Sequence, residues 1–371
     1  MLASKLLIKI KSFMENKNKK KIVLSGGGTG GSVTPLIFVY QELKNDFDFL
    51  FVGTYQGIEK EMISKEGINY KAIISGKWRR YFSFSNFIDL FKIFLAFWQS
   101  LFLLIKERPS LVFSAGGFVA VPLSYAAWFL RIPVLIHQQD VLPGLANKLV
   151  SPLAKKITVT FSKSLKIYKN KSEVIGNIGF KNKCVLSKES ILQKYNLINQ
   201  KTLLVLGGGT GSLFINNLIN NSLPLLPSDI NIIHVFGRQE RDIIEKSDYK
   251  NYRKFSFIAH QELMEIMNIC DLVVTRAGLS TLTEISFLSK PSIIIPMPDS
   301  HQEENAKEFE IAKGAIVLNE KKITIESFVS NVIKVINDSE LRKSISFNSS
   351  KVIKNGNQAM ITIIRSFLNK V

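Results

Sequence analysis

KIVLSGGGTGGSVTPLIFVYQELK, residues 21–44, reads as a short apolar strand that runs into the glycine cluster Ser25, Gly26, Gly27, Gly28, Thr29, Gly30, Gly31. A helix follows from about Pro35 to Lys44, and DFLFVGT, residues 48–54, is the next strand. An apolar run bounded by glycines, then a helical period, then another apolar run is the signature of a βαβ unit. The arrangement starts again in the second half with TLLVLGGGTGS, residues 202–212. Around these openings lie further strand-like runs. The first half has YKAIIS (70–75), SLVFSAGG (110–117), PVLIHQQD (133–140) and KITVTFS (156–162). The second has INIIHVFG (230–237), KFSFIAH (254–260), DLVVTRAG (271–278) and PSIIIPMP (291–298). Two consecutive Rossmann-like α/β domains with parallel sheets are predicted, with the glycine loops at the carboxyl ends of the strands, where such sheets bind ligands.

Bulk properties agree with this division. A chain of 371 residues exceeds what one core usually organises, and 46% apolar against 21% charged residues excludes disorder. The apolar pattern lapses around 177–182, which sets the domains at 21–178 and 179–356, preceded by a basic leader over 1–20. The net charge of +19 favours polyanions in general, but no nucleic-acid module is recognisable. Cys184 and Cys270 are far apart and lack metal-ligand spacing, in keeping with a reducing compartment. The leader's apolar positions are broken by Lys5, Lys9 and Lys11, unlike a secretion signal.

FIDLFKIFLAFWQSLFLLIK, residues 87–106, is long enough to span a bilayer, but Asp89, Lys92, Gln99 and Lys106 interrupt it at helical spacing. Such a helix lies in a core or on a bilayer. Just before it, Trp78, Arg79, Arg80 and Tyr81 combine aromatic and cationic groups, the mixture that an interfacial surface uses.

Glycines after a strand let the backbone approach a ligand, and the following helix start offers free N–H groups to negative charge. Neither cluster is a Walker A loop or a dinucleotide fingerprint. Residues 271–306 are richer. After the strand DLVV, the turn Thr275, Arg276, Ala277, Gly278 leads into a helix carrying Ser280, Thr281, Thr283 and Glu284. A carboxylate there suits ribose hydroxyls, and the helix start suits phosphates. Beyond Pro296, Met297 and Pro298, the residues Ser300, His301, Gln302 and Asn305 offer hydrogen-bonding groups for a sugar. Of the remaining histidines, His234 and His260 are read as hydrogen-bonded structural residues, and His137 ends a strand beside the ligand loops. Asp46 and Asp48 are rejected as a metal pair because they precede the core of the second strand.

Together these motifs resemble the MurG family of transferases, which add N-acetylglucosamine to undecaprenyl-pyrophosphoryl-muramoyl-pentapeptide. The resemblance runs from about Lys21 to the C-terminus. Its matching pieces are Gly27 to Gly31 with Pro35, Ser114 to Phe118 with Pro122, HQQDVLPGLANK (137–148), Gly176 with Asn177, the 207–212 loop, 276–284, Pro291, Pro296, and His301, Gln302, Asn305 and Ala306. It implies a GT-B architecture facing a central cleft, with a final helix, 357–371, packing back on the first domain. The donor side would comprise Thr29, Gly30, Gly31, Asp140, Gly209, Thr210, Ile258, Leu279, Ser280, Thr281, Leu282, Thr283, Glu284, His301 and Gln302. Trp78, Arg79, Arg80, His137 and Asn147 would serve the lipid acceptor and the membrane. The partners implied are a nucleotide-sugar donor, a polyprenyl-diphosphate acceptor and the anionic cytoplasmic face of the cell membrane; no metal or resident cofactor is implied.

Departures from the family pattern are concentrated at the reacting groups. Ser32 stands where the family has His, and His137, Gln138, Gln139, Asp140 replace the usual His-Glu-Gln-Asn. The base of an inverting transfer is therefore expected at Asp140, with Ser32 acting through water as the second candidate. Gly209 replaces the usual Ser. The Arg expected after Asn177 is missing, with Phe180 near its place and Lys181 and Lys183 close by. A transferase using another lipid, a nucleotide-sugar 2-epimerase and a non-catalytic donor-binding homologue share the pattern; acceptor-free donor turnover marks the epimerase.

Overall fold

The computed structural model describes residues 19–76, 85–179, 186–208, 211–237 and 249–369, with the side chains of 85–90 and 169 outside the description. Expectations for residues 1–18, for Trp78, Arg79 and Arg80, for Phe180, Lys181 and Lys183, and for Gly209 and Thr210 therefore fall outside the described residues.

The chain forms two units. The first comprises the described residues up to 139, then 143–178 and the stretch from 356 onward; the second comprises 140–142 and 179–355. In the first, β1 (Lys21–Ser25), β2 (Asp48–Gly53), β3 (Tyr70–Ala72), β4 (Leu111–Ser114), β5 (Val134–Gln138), β6 (Lys156–Val159) and β7 (Ser172–Val174) form a parallel sheet of order β3-β2-β1-β4-β5-β6-β7. In the second, β8 (Lys201–Leu206), β9 (Ile230–Val235), β10 (Tyr252–Phe255), β11 (Leu272–Thr275), β12 (Ser292–Ile294) and β13 (Ile316–Val317) form a parallel sheet of order β10-β9-β8-β11-β12-β13.

Central strands covered by helices on both faces need apolar side chains at successive positions, which is why the runs are nearly continuous rather than alternating. Val23 sits opposite Leu50 and Val112, and Leu204 opposite Ile233 and Val273; all six are buried. The strand order reverses at β1/β4 in the first unit and at β8/β11 in the second. Ligands bind in open α/β sheets at the carboxyl ends beside such a reversal. The sequence places its glycine-bearing motifs at these points: 26–31 after β1, 115–117 after β4, 207–212 after β8 and 276–278 after β11.

The helix Asn357–Asn369 belongs to the first unit, where it packs against the helix Thr34–Leu43. Met360, Ile363, Ile364 and Leu368 recur at helical spacing on its buried face, and Arg365 reaches Asp46 at 2.7 Å. Asp46 is thus half of an ion pair. The chain returns through Gly356, whose N–H donates to Asn177 O at 2.8 Å; a β-carbon there would lie 2.9 Å from Ile175 O.

The helix Ser85–Glu107 divides its surface in a way the sequence left open between core and bilayer. Ala96, Ser100, Leu101 and Leu104 are buried, and Gln99 Oε1 accepts the Ile74 N–H at 2.8 Å beside β3. Phe91, Phe94, Trp98 and Phe102 follow one another at intervals of three or four and are 43–67% exposed. Trp128 and Phe129, at the end of the neighbouring helix Ala120–Phe129, are exposed as well. Among the described residues, no helix is long and apolar enough to cross a membrane.

Candidate active site

In the second unit the polypeptide leaves β11 through Arg276, Ala277 and Gly278 and enters the helix Leu279–Phe287. Gly278 is the N-cap and supplies no side chain, so the first amides of the helix have no side-chain acceptor. They form a ready anion site at the end of the sheet. The chain secures this turn from three sides. Gln302 Oε1 accepts the N–H of Ala277 at 3.2 Å and that of Met297 at 3.1 Å. Asn305 Nδ2 donates to Ala277 O at 3.3 Å and to Asp140 Oδ1 at 2.8 Å, while its Oδ1 accepts the Val141 N–H at 3.1 Å. The Asn305 amide is fully buried and fully engaged, so it braces the turn instead of meeting a sugar, as the sequence had suggested.

Arg276 is the third brace. Its Nε donates to Ser212 Oγ at 3.1 Å, its Nη1 to Ile295 O at 3.2 Å and to Glu320, and its guanidinium lies 5.7 Å from the Phe214 ring centre. One planar cation thereby joins the loops after β8, β11 and β12. Removing one member of a mostly buried pair strands the other, at about 3 kcal/mol or more. Arg276→Ala is therefore expected to lower unfolding stability by about 3 kcal/mol in urea titration, and Arg276→Lys, which keeps the charge and loses the fork, by about half as much.

Of the residues assigned to the donor, Ser280, Thr281 and Glu284 are partly exposed. Leu279 and Leu282 are buried, so either would meet a ligand through its backbone, and the Leu282 N–H is already given to Gly278 O at 3.1 Å. Thr283 donates its hydroxyl to Leu279 O at 2.7 Å within the helix. Ile258 follows β10 with its side chain buried, and His301 is exposed at the N-cap of the helix Gln302–Ile311. Glu284 Oε1 lies 2.8 Å from His260 Nε2, a pairing the sequence did not announce.

In the first unit, Thr29 is exposed, and Gly30 and Gly31 are partly exposed. Ser32 Oγ lies 3.0 Å from Thr29 O and 3.2 Å from Gly27 O, so its one proton goes to a loop carbonyl and the residue shapes the loop. Gly117, with φ of +99°, brings the two loops together backbone to backbone: a β-carbon there would stand 2.5 Å from Gly27 O. Behind the loop is Glu59, fully buried, whose Oε1 accepts the Thr54 N–H at 3.0 Å and its hydroxyl at 2.6 Å. A β-carbon on Gly27 would lie 2.9 Å from the Glu59 carboxyl carbon, so the glycine is required by what lies beneath it.

His137 is also placed differently from the sequence reading. It is fully buried, with Nε2 2.8 Å from Asn177 Oδ1 and Nδ1 2.9 Å from Thr158 Oγ1, leaving no ring nitrogen for an acceptor. The acceptor role gives way to that of a cross-strand brace. Asn147 is buried and donates to Gln138 Oε1 at 2.6 Å, which Tyr168 also reaches at 3.0 Å. His234 is the counterpart of His137 in the second unit, 2.9 Å from Asn216 Oδ1 and 2.6 Å from the Tyr252 hydroxyl.

Burial keeps both rings neutral, lowering His137 to about 4 and His234 to about 3 from an ordinary 6.5. Below pH 6.5 the unfolded chain takes up protons that the folded chain refuses, so stability is complete above that pH and falls as the pH drops toward 4. Each ring is expected to contribute a slope of about 1.4 kcal/mol per pH unit. Urea midpoints measured from pH 7 to pH 4.5 should show it, and His137→Gln and His234→Gln should each flatten the dependence.

Comparison with known proteins identifies both halves of the chain. The family model described as the glycosyltransferase family 28 N-terminal domain matches residues 22–159, and that of the family 28 C-terminal domain matches 202–359. A UDP-N-acetylglucosamine--N-acetylmuramyl-(pentapeptide) pyrophosphoryl-undecaprenol N-acetylglucosamine transferase of Clostridium kluyveri is 36% identical over 356 residues, covering 94% of this chain and 99% of that one. Its namesake in Clostridium perfringens is 38% identical over 346 residues, covering 91% and 95%. Among solved structures, that of Acinetobacter baumannii MurG superposes with a TM-score of 0.72 at 22% identity, covering 94% and 99%. The UDP-GlcNAc 2-epimerase of Neisseria meningitidis superposes at 0.69 and 14% identity, covering 94% and 100%, a likeness of fold alone. Two parallel sheets with motifs at their strand reversals, and a full-length relationship at 36–38% identity, place this chain in the MurG family of glycosyltransferases.

Proposed function

We propose that this enzyme transfers N-acetylglucosamine from UDP-N-acetylglucosamine to the C4 hydroxyl of the muramoyl-pentapeptide lipid precursor, converting lipid I to lipid II in peptidoglycan synthesis. The relationship to transferases of that name along 94% of the chain carries the reading. In the second unit, the helix start at Leu279–Thr281 receives the donor diphosphate, Glu284 accepts hydrogen bonds from the ribose hydroxyls, and Ile258 meets the uracil through its backbone. His301 and the amide nitrogen of Gln302 face the sugar. In the first unit, the glycine loop at Thr29, Gly30 and Gly31 offers backbone N–H groups suited to phosphate oxygens.

The acceptor oxygen attacks the anomeric carbon as the bond to the diphosphate oxygen breaks; the electron pair leaves with UDP and the configuration inverts. Fixed N–H groups at the helix start stabilise the charge developing on the leaving diphosphate. Asp140 takes the hydroxyl proton. Its support is positional, because Asn305 links its carboxylate to Ala277, the residue before the helix cap. The exposed aromatic face of the helix Ser85–Glu107 rests on the anionic cytoplasmic membrane surface, where the polyprenyl chain of the acceptor is anchored.

Transfer of labelled N-acetylglucosamine to a short-chain lipid acceptor tests the reaction. Acceptor-dependent product is expected, whereas turnover of donor without acceptor would replace the transferase with an epimerase. Asp140→Ala is expected to lower kcat about 100- to 1,000-fold with donor KM within about threefold, the loss typical of a general base. Retention of kcat would remove Asp140 from that role.

A further inference from the structure

Glu284 stands in a helix that also carries hydroxyls, and a carboxylate on a helix surface has several rotamers open to it. The rotamer decides which way each carboxylate oxygen faces. The nucleotide's two hydroxyls would recognise the carboxylate best if the protein itself held it before the ligand arrived, because the ordering cost is then met within the fold.

The donor unit contains such a holder. His260 begins the helix His260–Ile269, two residues after Ile258, and its Nε2 lies 2.8 Å from Glu284 Oε1. The Glu284 side chain is only 16% exposed, whereas that of His260 is 39% exposed. The imidazole thus lies on the solvent side of the pair and the carboxylate on the inner side. A carboxylate accepts hydrogen bonds through both oxygens, so a donor fixed on Oε1 leaves Oε2 to the ligand. The connection also links two parts of one recognition surface. The backbone at Ile258 and the ring at His260 are two positions apart on the segment after β10, while Glu284 is on the helix after β11.

We infer that His260 is a positioning residue for nucleoside recognition: its imidazole fixes one oxygen of Glu284 so that the other selects a ribose 2′,3′-diol over a deoxyribose. The inference rests on the assignment of Glu284 to the ribose made above. His260 need not touch the nucleotide, and the reaction itself does not pass through it.

The test measures UDP and 2′-deoxy-UDP binding by calorimetry on the full-length chain. His260→Ala is expected to weaken UDP about tenfold while weakening 2′-deoxy-UDP less than about threefold, so that discrimination shrinks. His260→Gln, which retains a donor able to reach a carboxylate, is expected to restore most of the preference. Steady-state kinetics should place the alanine effect in the donor KM, with kcat within about twofold, and Glu284→Ala combined with His260→Ala should cost little more than Glu284→Ala alone. Equal loss of both nucleotides in His260→Ala, or unchanged discrimination, would overturn the inference. The control is Glu284→Ala. If that variant still prefers UDP, the ribose assignment fails and the positioning role falls with it; if it loses the preference while His260→Ala keeps it, only the role of His260 fails.

Discussion

Replacing Glu284 with alanine is expected to raise the KM for UDP-N-acetylglucosamine about 100-fold and to leave kcat within about threefold. The direction follows from what the carboxylate does in the proposed complex. It accepts hydrogen bonds from hydroxyls that do not change charge during the reaction, so its contribution is the same in the ground state and the transition state. Hydrogen bonds to a charged group are worth about 1.5–3 kcal/mol each, and with part of the pair replaced by water a net loss of about 2.7 kcal/mol is the central expectation. Uniform loss of that kind appears in KM. Glu284→Gln keeps the shape and loses the charge, and should fall between wild type and alanine. Donor-dependent kinetics at saturating acceptor separate the two parameters. A fall in kcat with unchanged KM would move Glu284 from the nucleoside to the reacting centre, and no effect at all would remove the helix Leu279–Phe287 from the donor site.

The stability of the helix start bears on how such variants should be interpreted. Gln302, Asn305 and Arg276 hold the 276–278 turn independently of Glu284, through Ala277 N–H, Ala277 O and Ser212. Alanine at 284 therefore leaves the turn in place, and a binding defect in that variant reports on the missing carboxylate. Arg276→Ala would disturb three loops at once, so it would confuse a folding loss with a binding loss.

Much of this arrangement is legible in the sequence, for a physical reason. A strand buried on both faces needs an unbroken apolar run, and a loop approached by other backbone needs glycine, so β1, β4, β8 and β11 and the loops that follow them declare themselves locally. The direction of a polar side chain is not local. In IEKEMISK, residues 58–65, Glu59 and Glu61 are alike in sequence, yet Glu59 is buried beneath Gly27 while Glu61 pairs with Lys65 at 2.9 Å on the surface. Asn305 and Gln302 likewise read as groups for a sugar, whereas Asn305 is spent on Asp140, Val141 and Ala277. His260 and Glu284 are 24 residues apart, and the strands before their helices, β10 and β11, are separated in the sheet by β9 and β8, so only the fold brings the two side chains together. His137 misled for the opposite reason: the end of a strand near a ligand loop is where a binding histidine would stand, but β6 and Asn177 cover it.

The aromatic face of the helix Ser85–Glu107 carries the other large expected effect. Trp98 and Phe102 are one turn apart, 43% and 67% exposed, with their ring centroids 6.3 Å from each other. Leaving such rings in water is costly, and transferring one into an acyl layer returns about 2 kcal/mol. The combined variant Trp98→Asp with Phe102→Asp is thus expected to lose about 4 kcal/mol, on the order of a 1,000-fold weaker association with vesicles of phosphatidylcholine and phosphatidylglycerol. Its activity toward a short-chain, water-soluble acceptor should stay within about twofold of wild type, because the opposite face of the helix, with Ala96, Ser100 and Leu104, holds the fold and is untouched. Raising the salt should weaken the wild type on these vesicles far more than on vesicles of phosphatidylcholine alone, since the excess of cations acts over a screened distance and the rings do not. Vesicle flotation measures both quantities. Unchanged flotation of the double variant would show that the chain meets the lipid through another surface, and loss of activity on the soluble acceptor would show that these rings belong to the fold or the acceptor site and not to a membrane contact.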